Sequence, residues 1–472
     1  MKKVKNTNSS GLSDEEMLYQ LDGRPRFSIA FPMGLQHVLA MFAGNLAPML
    51  IIAAIAKATP QETVIMIQAG MLISGLATFL QLYPIKIGRF QIGSGLPFVM
   101  GTSFAFVPTA SAAAALGGIP AVLGGALVGS LAEGLIGVFY KYLKRLFTPL
   151  VIGSALIVIG LNLLNVGRDY FAGGAGAKDY GSWQNLTIAF STFIIVLALQ
   201  RFGKGIVKTA ALLFGLVLGY LIALAFGKVD LSAIGASSWA TIPRPLPFMP
   251  TFNPQTIISF VIIYITVSME TIGNTSGITI AAFDRQATEK ETSGAVLADA
   301  FGCAVASLFG AMPNTAFGQN VGIVSMTKVV NKWCITLGAG VLVICGFLPK
   351  LGYIFASIPP AVLGGALISV FAMITLNGIK MLAQAGFSER NITVLGITFA
   401  LGIGFAGHAD AIAGMPTWLK FIFEDSIAAT TIVGIIANLI FPEPKKAKAT
   451  EPEETVATDK SAPTTVTHAM TH

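Results

Sequence analysis

The 472-residue sequence is short of charge: Asp, Glu, Lys and Arg together make up 11% of it, against roughly 25% in soluble domains. A soluble chain of this length could not cover its surface with so few. Cysteine is also scarce. Cys303, Cys334 and Cys345 lie apart, in or beside apolar runs, which excludes a disulfide framework and a paired-cysteine metal site. No His and Glu pair falls on one helix face at metal-binding spacing, and there is no GxSxG turn or pair of catalytic aspartates, so neither an enzyme nor a cofactor is expected. The first 27 residues mix Lys2, Lys3 and Lys5 with Asp14, Glu15, Glu16 and Asp22 and hold no apolar core, so no cleavable signal peptide is expected. The net charge of +7 is scattered rather than gathered on one stripe, which argues against a nucleic-acid partner.

Apolar residues fill the space that charge leaves. The hydrophobic share is 54%, with 51 glycines, a composition that suits helices packed backbone to backbone in lipid. About 20 apolar residues cross the hydrocarbon core. Such runs lie near 30–56, 63–84, 95–116, 119–139, 147–166, 184–200, 209–227, 255–279, 292–311, 315–329, 333–348, 352–376, 391–407 and 421–441. The expectation is an all-α polytopic membrane protein of about fourteen transmembrane segments. With the N-terminus inside, only Lys57, Arg168, Lys178, Lys228, Arg244, Lys350 and Lys420 of the 30 basic residues fall outside. That asymmetry predicts cytoplasmic termini and an even number of spans.

Internal repetition divides the chain. Pro149, Gly153, Ala155, Leu156 and Ile157 recur as Pro360, Gly364, Ala366, Leu367 and Ile368, and Pro97 matches Pro313 at a similar offset. The shift moves seven spans, an odd number, so the second half should be inverted relative to the first. The expected organisation is a cytoplasmic tail (1–27), a first seven-segment repeat (28–228), an extracellular linker (229–254), a second repeat (255–442) and a disordered cytoplasmic tail (443–472). A competing repeat, PAVLGGAL at Pro120–Leu127 and again at Pro360–Leu367, has no neighbouring segment at the same spacing and is set aside.

Ionisable residues inside spans are functional candidates because burying them in lipid is costly. His37, Glu133, Glu270 and Asp299 qualify. Two segments, GSGLPFVMGTSF (93–104) and MPNTAFGQNVGIVSMT (312–327), are interrupted by proline, glycine and polar residues and should be part extended, part helical. Half-helices are predicted to begin near Thr102 and Gln319, with N-terminal N–H groups suited to an anionic or carbonyl-rich ligand.

The run Gln319-Asn320-Val321-Gly322-Ile323-Val324-Ser325-Met326-Thr327-Lys328 resembles the signature of the nucleobase-ascorbate transporters, also called the second nucleobase-cation symporter family. Gln36-His37, Ser268 to Gly273, Leu297 to Asp299 and Leu21 to Pro25 are similar to its purine branch, that of xanthine and uric acid permeases. The resemblance implies two inverted seven-span repeats, core and gate domains, and a homodimer. It also implies proton-coupled symport of an oxidised purine, xanthine or uric acid, across the cell membrane. The chain departs from many relatives at Asn274, where they carry aspartate one turn after the binding glutamate. The rival readings are an anion exchanger or channel of a related inverted-repeat fold, and uptake of another nucleobase such as uracil or guanine.

On this reading Glu270 accepts N–H donors from the purine edge and exchanges the proton, against the plainer alternative of a helix–helix hydrogen bond. Gln319 offers one acceptor and one donor group for an adjacent N–H and C=O. Asn320 braces Gln319 or caps the half-helix. Thr102, Ser103 and Phe104 complete the expected substrate site, Thr102 through its hydroxyl and Phe104 by stacking. Asp299, His37 and Asn274 are expected to couple the proton or support the site. Glu133 is expected to make a structural hydrogen bond.

Overall fold

The computed structural model describes residues 13–441 apart from Arg89 and Gly407. The expected tail at 443–472 and most of the basic N-terminus lie outside the described residues. Helices dominate: α1 (Phe27–Ile55), α2 (Pro60–Leu82), α3 (Val107–Leu143), α4 (Pro149–Phe171), α5 (Trp183–Phe202), α6 (Ala211–Ala225), α7 (Pro254–Phe283), α8 (Glu289–Leu308), α9 (Gly318–Thr327), α10 (Lys332–Gly346), α11 (Pro349–Ala356), α12 (Pro360–Ala385), α13 (Glu389–Gly404) and α14 (Ser426–Ile440). Four strands of three residues each accompany them: β1 (Ile85–Ile87), β2 (Phe90–Ile92), β3 (Met100–Thr102) and β4 (Asn314–Ala316). Among the described residues, seven helices are long and apolar enough to cross a bilayer alone.

Proline and glycine punctuate these elements. Pro60, Pro149, Pro254, Pro349 and Pro360 each open a helix, where the missing N–H has no intrahelical partner to lose. The expected third and fourth spans run together as α3, bent at Gly117 and Gly118, and Gly118 has φ +66°, a backbone conformation that costs glycine nothing.

The expected span at 352–376 is misplaced. Its first residues belong to α11, which bends 81° from α10, and the spanning helix is α12. Pro359 is extended, with ψ 144°, because the residue before a proline is pushed out of the helical region. The twelfth span therefore starts at Pro360.

Two groups of helices form. In one, α3 packs on α7 and α8, while α10 packs on α1 and α2; in the other, α12 packs on α4 and α5, and α14 on α4 and α13. These are the core and gate of an inverted-repeat fold. β3 and β4 pair antiparallel, with Met100 opposite Ala316 and Thr102 opposite Asn314. The two broken segments therefore meet head to tail at corresponding positions of the two repeats.

The duplicated PAVLGGAL has a local cause. In both copies proline sits at or near the start of a helical run and the glycine pair lies against backbone or an aromatic ring. A Cβ on Gly124 would strike the Thr251 backbone, and one on Gly364 would strike Phe171. The letters recur because both helices make close crossings.

The 229–254 linker is strapped across one face by backbone bonds from Thr241 to Phe347 (3.0 Å), Leu246 to Leu308 (2.6 Å) and Thr251 to Pro120 (3.0 Å).

Candidate functional site

The first broken segment is pinned by α1 and α2. Asn45 Oδ1 accepts from Thr102 N (2.7 Å), Thr102 Oγ1 (2.6 Å) and Ser74 Oγ (3.1 Å), and Thr102 Oγ1 also donates to the Asn45 carbonyl. Thr78 Oγ1 accepts from Met100 N (2.9 Å). A strand of three residues has few ladder bonds of its own. These side chains supply partners that buried backbone groups require.

Thr102 is thus the last residue of β3 and does not open the half-helix. Its hydroxyl donates its proton to Asn45, which leaves the oxygen only as an acceptor. Ser103 is the cap: its Oγ accepts from Ala105 N (3.2 Å) and its N–H donates to the Pro313 carbonyl (3.2 Å). A single 3-10 turn, Phe104–Phe106, leads from it into α3. The Phe104 ring meets Phe371 of α12 edge-on at 5.4 Å, so it touches the gate group. Phe98 and Phe106 are fully buried packing residues.

The second broken segment is pinned by α7 and α8. Asp299, wholly buried, accepts from Gln81 Nε2 (3.1 Å), Thr315 Oγ1 (3.1 Å) and Thr271 Oγ1. One carboxylate thereby ties α2, α7, α8 and β4 together. Asn274 Nδ2 donates to the Ala316 carbonyl (2.9 Å), joining α7 to the end of β4. Gln81 also accepts from Ser94 N (3.0 Å) and donates to the Ala295 carbonyl (3.0 Å).

α9 begins at Gly318 without a side-chain cap; the Asn320 N–H donates to the Phe317 carbonyl (3.1 Å), and the Gly318 and Gln319 N–H groups, at the first two positions, have no intrahelical carbonyl to reach. Gln319, in that first turn, is exposed. Asn320 points the other way: it is buried, and its Nδ2 lies 2.9 Å from His37 Nδ1 of α1. That contact joins α9 to α1. His37 is buried and orders the half-helix through Asn320.

Glu270 differs from every other candidate carboxylate in the core. It lies mid-helix in α7, is partly exposed, and among the described residues no hydrogen bond or ion pair engages it. One turn on, Asn274 bonds β4 and lies beside Gly318. Residues four apart share a helix face, so Glu270 belongs to the face of α7 that looks onto the β4–α9 junction. A Cβ on the neighbouring Gly273 would meet nothing within 4 Å: there is open space at this face. Through Asn274, the helix face that carries Glu270 adjoins the end of β4 and the start of α9, whose first turn holds the exposed Gln319.

The pins Asn45, Ser74, Thr78, Thr271 and Thr315 were not singled out from sequence. A signal existed for α2, where Ser74, Thr78 and Gln81 stand four and three residues apart on one face.

Residues 28–410 match a family described as the permease family, Xan_ur_permease. The chain belongs to that family. This permease is 36% identical over 416 residues to a putative purine permease of Clostridium perfringens, covering 87% of this chain and 90% of the relative. It is 31% identical over 444 residues to a xanthine permease of Bacillus subtilis, covering 93% and 100%. Against a uric acid transporter of Escherichia coli the identity is 32% over 417 residues, covering 87% and 85%. Among solved structures, the transmembrane domain of the cyanobacterial bicarbonate transporter BicA matches with TM-score 0.57 at 15% identity, covering 88% of the permease and 98% of that chain. The murine anion transporter Slc26a9 in its inward-facing state matches with TM-score 0.59 at 13% identity, covering 93% and 73%. At such identities these two show the fold alone. The permease is a multi-pass membrane protein and not an enzyme.

Proposed function

We propose that the chain carries an oxidised purine, xanthine or uric acid, across the cell membrane together with protons, by alternating access of the core past the gate. The observation that carries this is Glu270: a mid-span carboxylate, unpaired among the described residues, on the helix face that looks onto the exposed first turn of α9. A carboxylate without a partner inside a membrane is expensive. Such an acceptor is retained where a ligand's N–H groups or a proton can satisfy it.

The roles divide by geometry. Glu270 accepts from purine N–H groups, Gln319 pairs with an adjacent C=O and N–H, and α9 N–H groups face developing negative charge. His37 and Asn320 orient α9, Asn274 holds β4, and Asp299 with Thr102 and Ser103 fixes the two broken segments. Phe104, whose ring meets Phe371 of α12, is assigned to stack on the base. The substrate class draws on the names of the relatives and on the resemblance of the Gln319–Lys328 run. The same reading has a homodimer in the bilayer with both termini cytoplasmic, the latter from the asymmetry of Lys and Arg.

An anion exchanger is the rival, because the matching structures are anion transporters. Against it, Glu270 would repel an inorganic anion at the same half-helix end. Uptake of labelled xanthine into proteoliposomes under an inward proton gradient decides. The expected result is accumulation that a protonophore collapses and unlabelled uric acid competes, with little effect of a sodium gradient. Bicarbonate, chloride or sulfate flux without xanthine uptake contradicts the proposal.

A further inference from the structure

Glu133 lies on α3, wholly buried, and Ser268 Oγ at 3.4 Å is its one hydrogen-bond donor among the described residues. That bond is long, and the Ser268 proton is shared with the Tyr264 carbonyl at 2.8 Å. Glu133 Oε2 has no partner among the described residues, and the buried Tyr264 hydroxyl lies against the Cys303 thiol. Tyr264 and Cys303 are both near enough to sense the Glu133 charge, and Asp299 is near enough to repel it. Those groups, from α7 and α8, are the titratable neighbours, and no Lys, Arg or His among the described residues is bonded to Glu133. A fixed structural contact would be served by an amide or hydroxyl. A buried carboxylate with an unsatisfied oxygen and no cation is an uncompensated charge whenever it is ionised.

Placement adds a second argument. Ser268 and Glu270 are two residues apart on α7, about 200° around the helix, so Glu133 backs the helix whose other face carries Glu270. Asp299 also repels charge on Glu270. Asp299 accepts from Thr271, one residue on from Glu270 and three from Ser268, so the three carboxylates are arranged around one stretch of α7.

We propose that Glu133 is a second proton-binding site of the transporter, loaded and unloaded in the transport cycle on the opposite face of α7 from the substrate. The proton comes from water, forms an O–H bond at Oε2, and returns to water when the carboxylate re-forms. The inference rests on the proposed purine–proton symport. It predicts two protons per base, one at Glu270 and one at Glu133.

The test is reconstituted wild type against Glu133→Gln, reading protons taken up per xanthine and the accumulation ratio under a gradient of about one pH unit. Each coupled proton is then worth about 1.4 kcal/mol, a factor of about ten. The expected wild-type stoichiometry is two and the ceiling about hundredfold; in Glu133→Gln the stoichiometry falls to one and the ceiling to about tenfold. Xanthine exchange at equal pH on both faces shows that the variant is folded. Unchanged stoichiometry in a folded variant overturns the inference and leaves the function standing. Wild type without xanthine exchange overturns the function and the inference with it. Should Glu133→Gln not fold, Ser268→Ala reads the same site by removing the donor to Glu133: the pH midpoint of exchange shifts by roughly half a unit or more, and an unmoved midpoint overturns the inference.

Discussion

Glu270→Gln is expected to cut the accumulation of base under one pH unit from about hundredfold to at most about tenfold, because the proton at Glu270 is lost while the one at Glu133 remains. The amide keeps the size of the side chain but neither titrates nor accepts two N–H donors as an anion. Hydrogen bonds to charged groups are worth about 1.5 to 3 kcal/mol, so base affinity should fall by about ten- to a hundredfold. Expression and melting temperature should hardly change, because no hydrogen bond or ion pair among the described residues depends on Glu270. Full concentrative uptake by the purified variant would remove Glu270 from the mechanism.

Asp299→Ala is expected to do the reverse, destroying the fold rather than the chemistry. Gln81, Thr271 and Thr315 donate to that carboxylate, and each buried donor left without a partner costs about 1 to 3 kcal/mol. Thr271 and Thr315 lie 3.0 Å apart and can satisfy each other in part. The net loss is still large beside a total stability of about 5 to 15 kcal/mol. In detergent the variant should aggregate or melt well below wild type, while Asp299→Asn, which keeps an acceptor for Gln81, should fall between. A wild-type melting curve for Asp299→Ala would show that the β4 anchor lies elsewhere. The contrast separates two core carboxylates that composition cannot: Asp299 accepts from two other helices and a strand, and Glu270 from none among the described residues.

The membrane class, the inverted repeats and the two interruptions were legible because each rests on a coarse signal: apolar run length, a seven-span offset, and prolines 97 and 313. The start of the first half-helix was not. The side chain before Phe104 that caps it is Ser103, while Thr102 looks equivalent in sequence and is claimed instead by Asn45 from another helix. The span at 352–376 failed for a similar reason, since apolar residues run on through the Pro359-Pro360 break and hydropathy cannot register a bend. Glu133 was expected to make a structural hydrogen bond, and it accepts one from Ser268; the unsatisfied second oxygen appears only once Tyr264 and Cys303 are packed beside it. Asn45 drew no notice because a neutral amide in an apolar helix resembles a tolerated polar residue, and its importance lies in a partner 57 positions away.

The central claim is that one purine edge is read by Glu270 and Gln319 together at the first turn of α9. An experimental structure of the transporter with xanthine bound tests it most directly. The planar base is expected at the α7–α9 face, with its N–H groups within hydrogen-bonding distance of the Glu270 carboxylate and its C=O and N–H edge on the Gln319 amide. A base bound away from Glu270, or with Gln319 turned from it, would contradict the account.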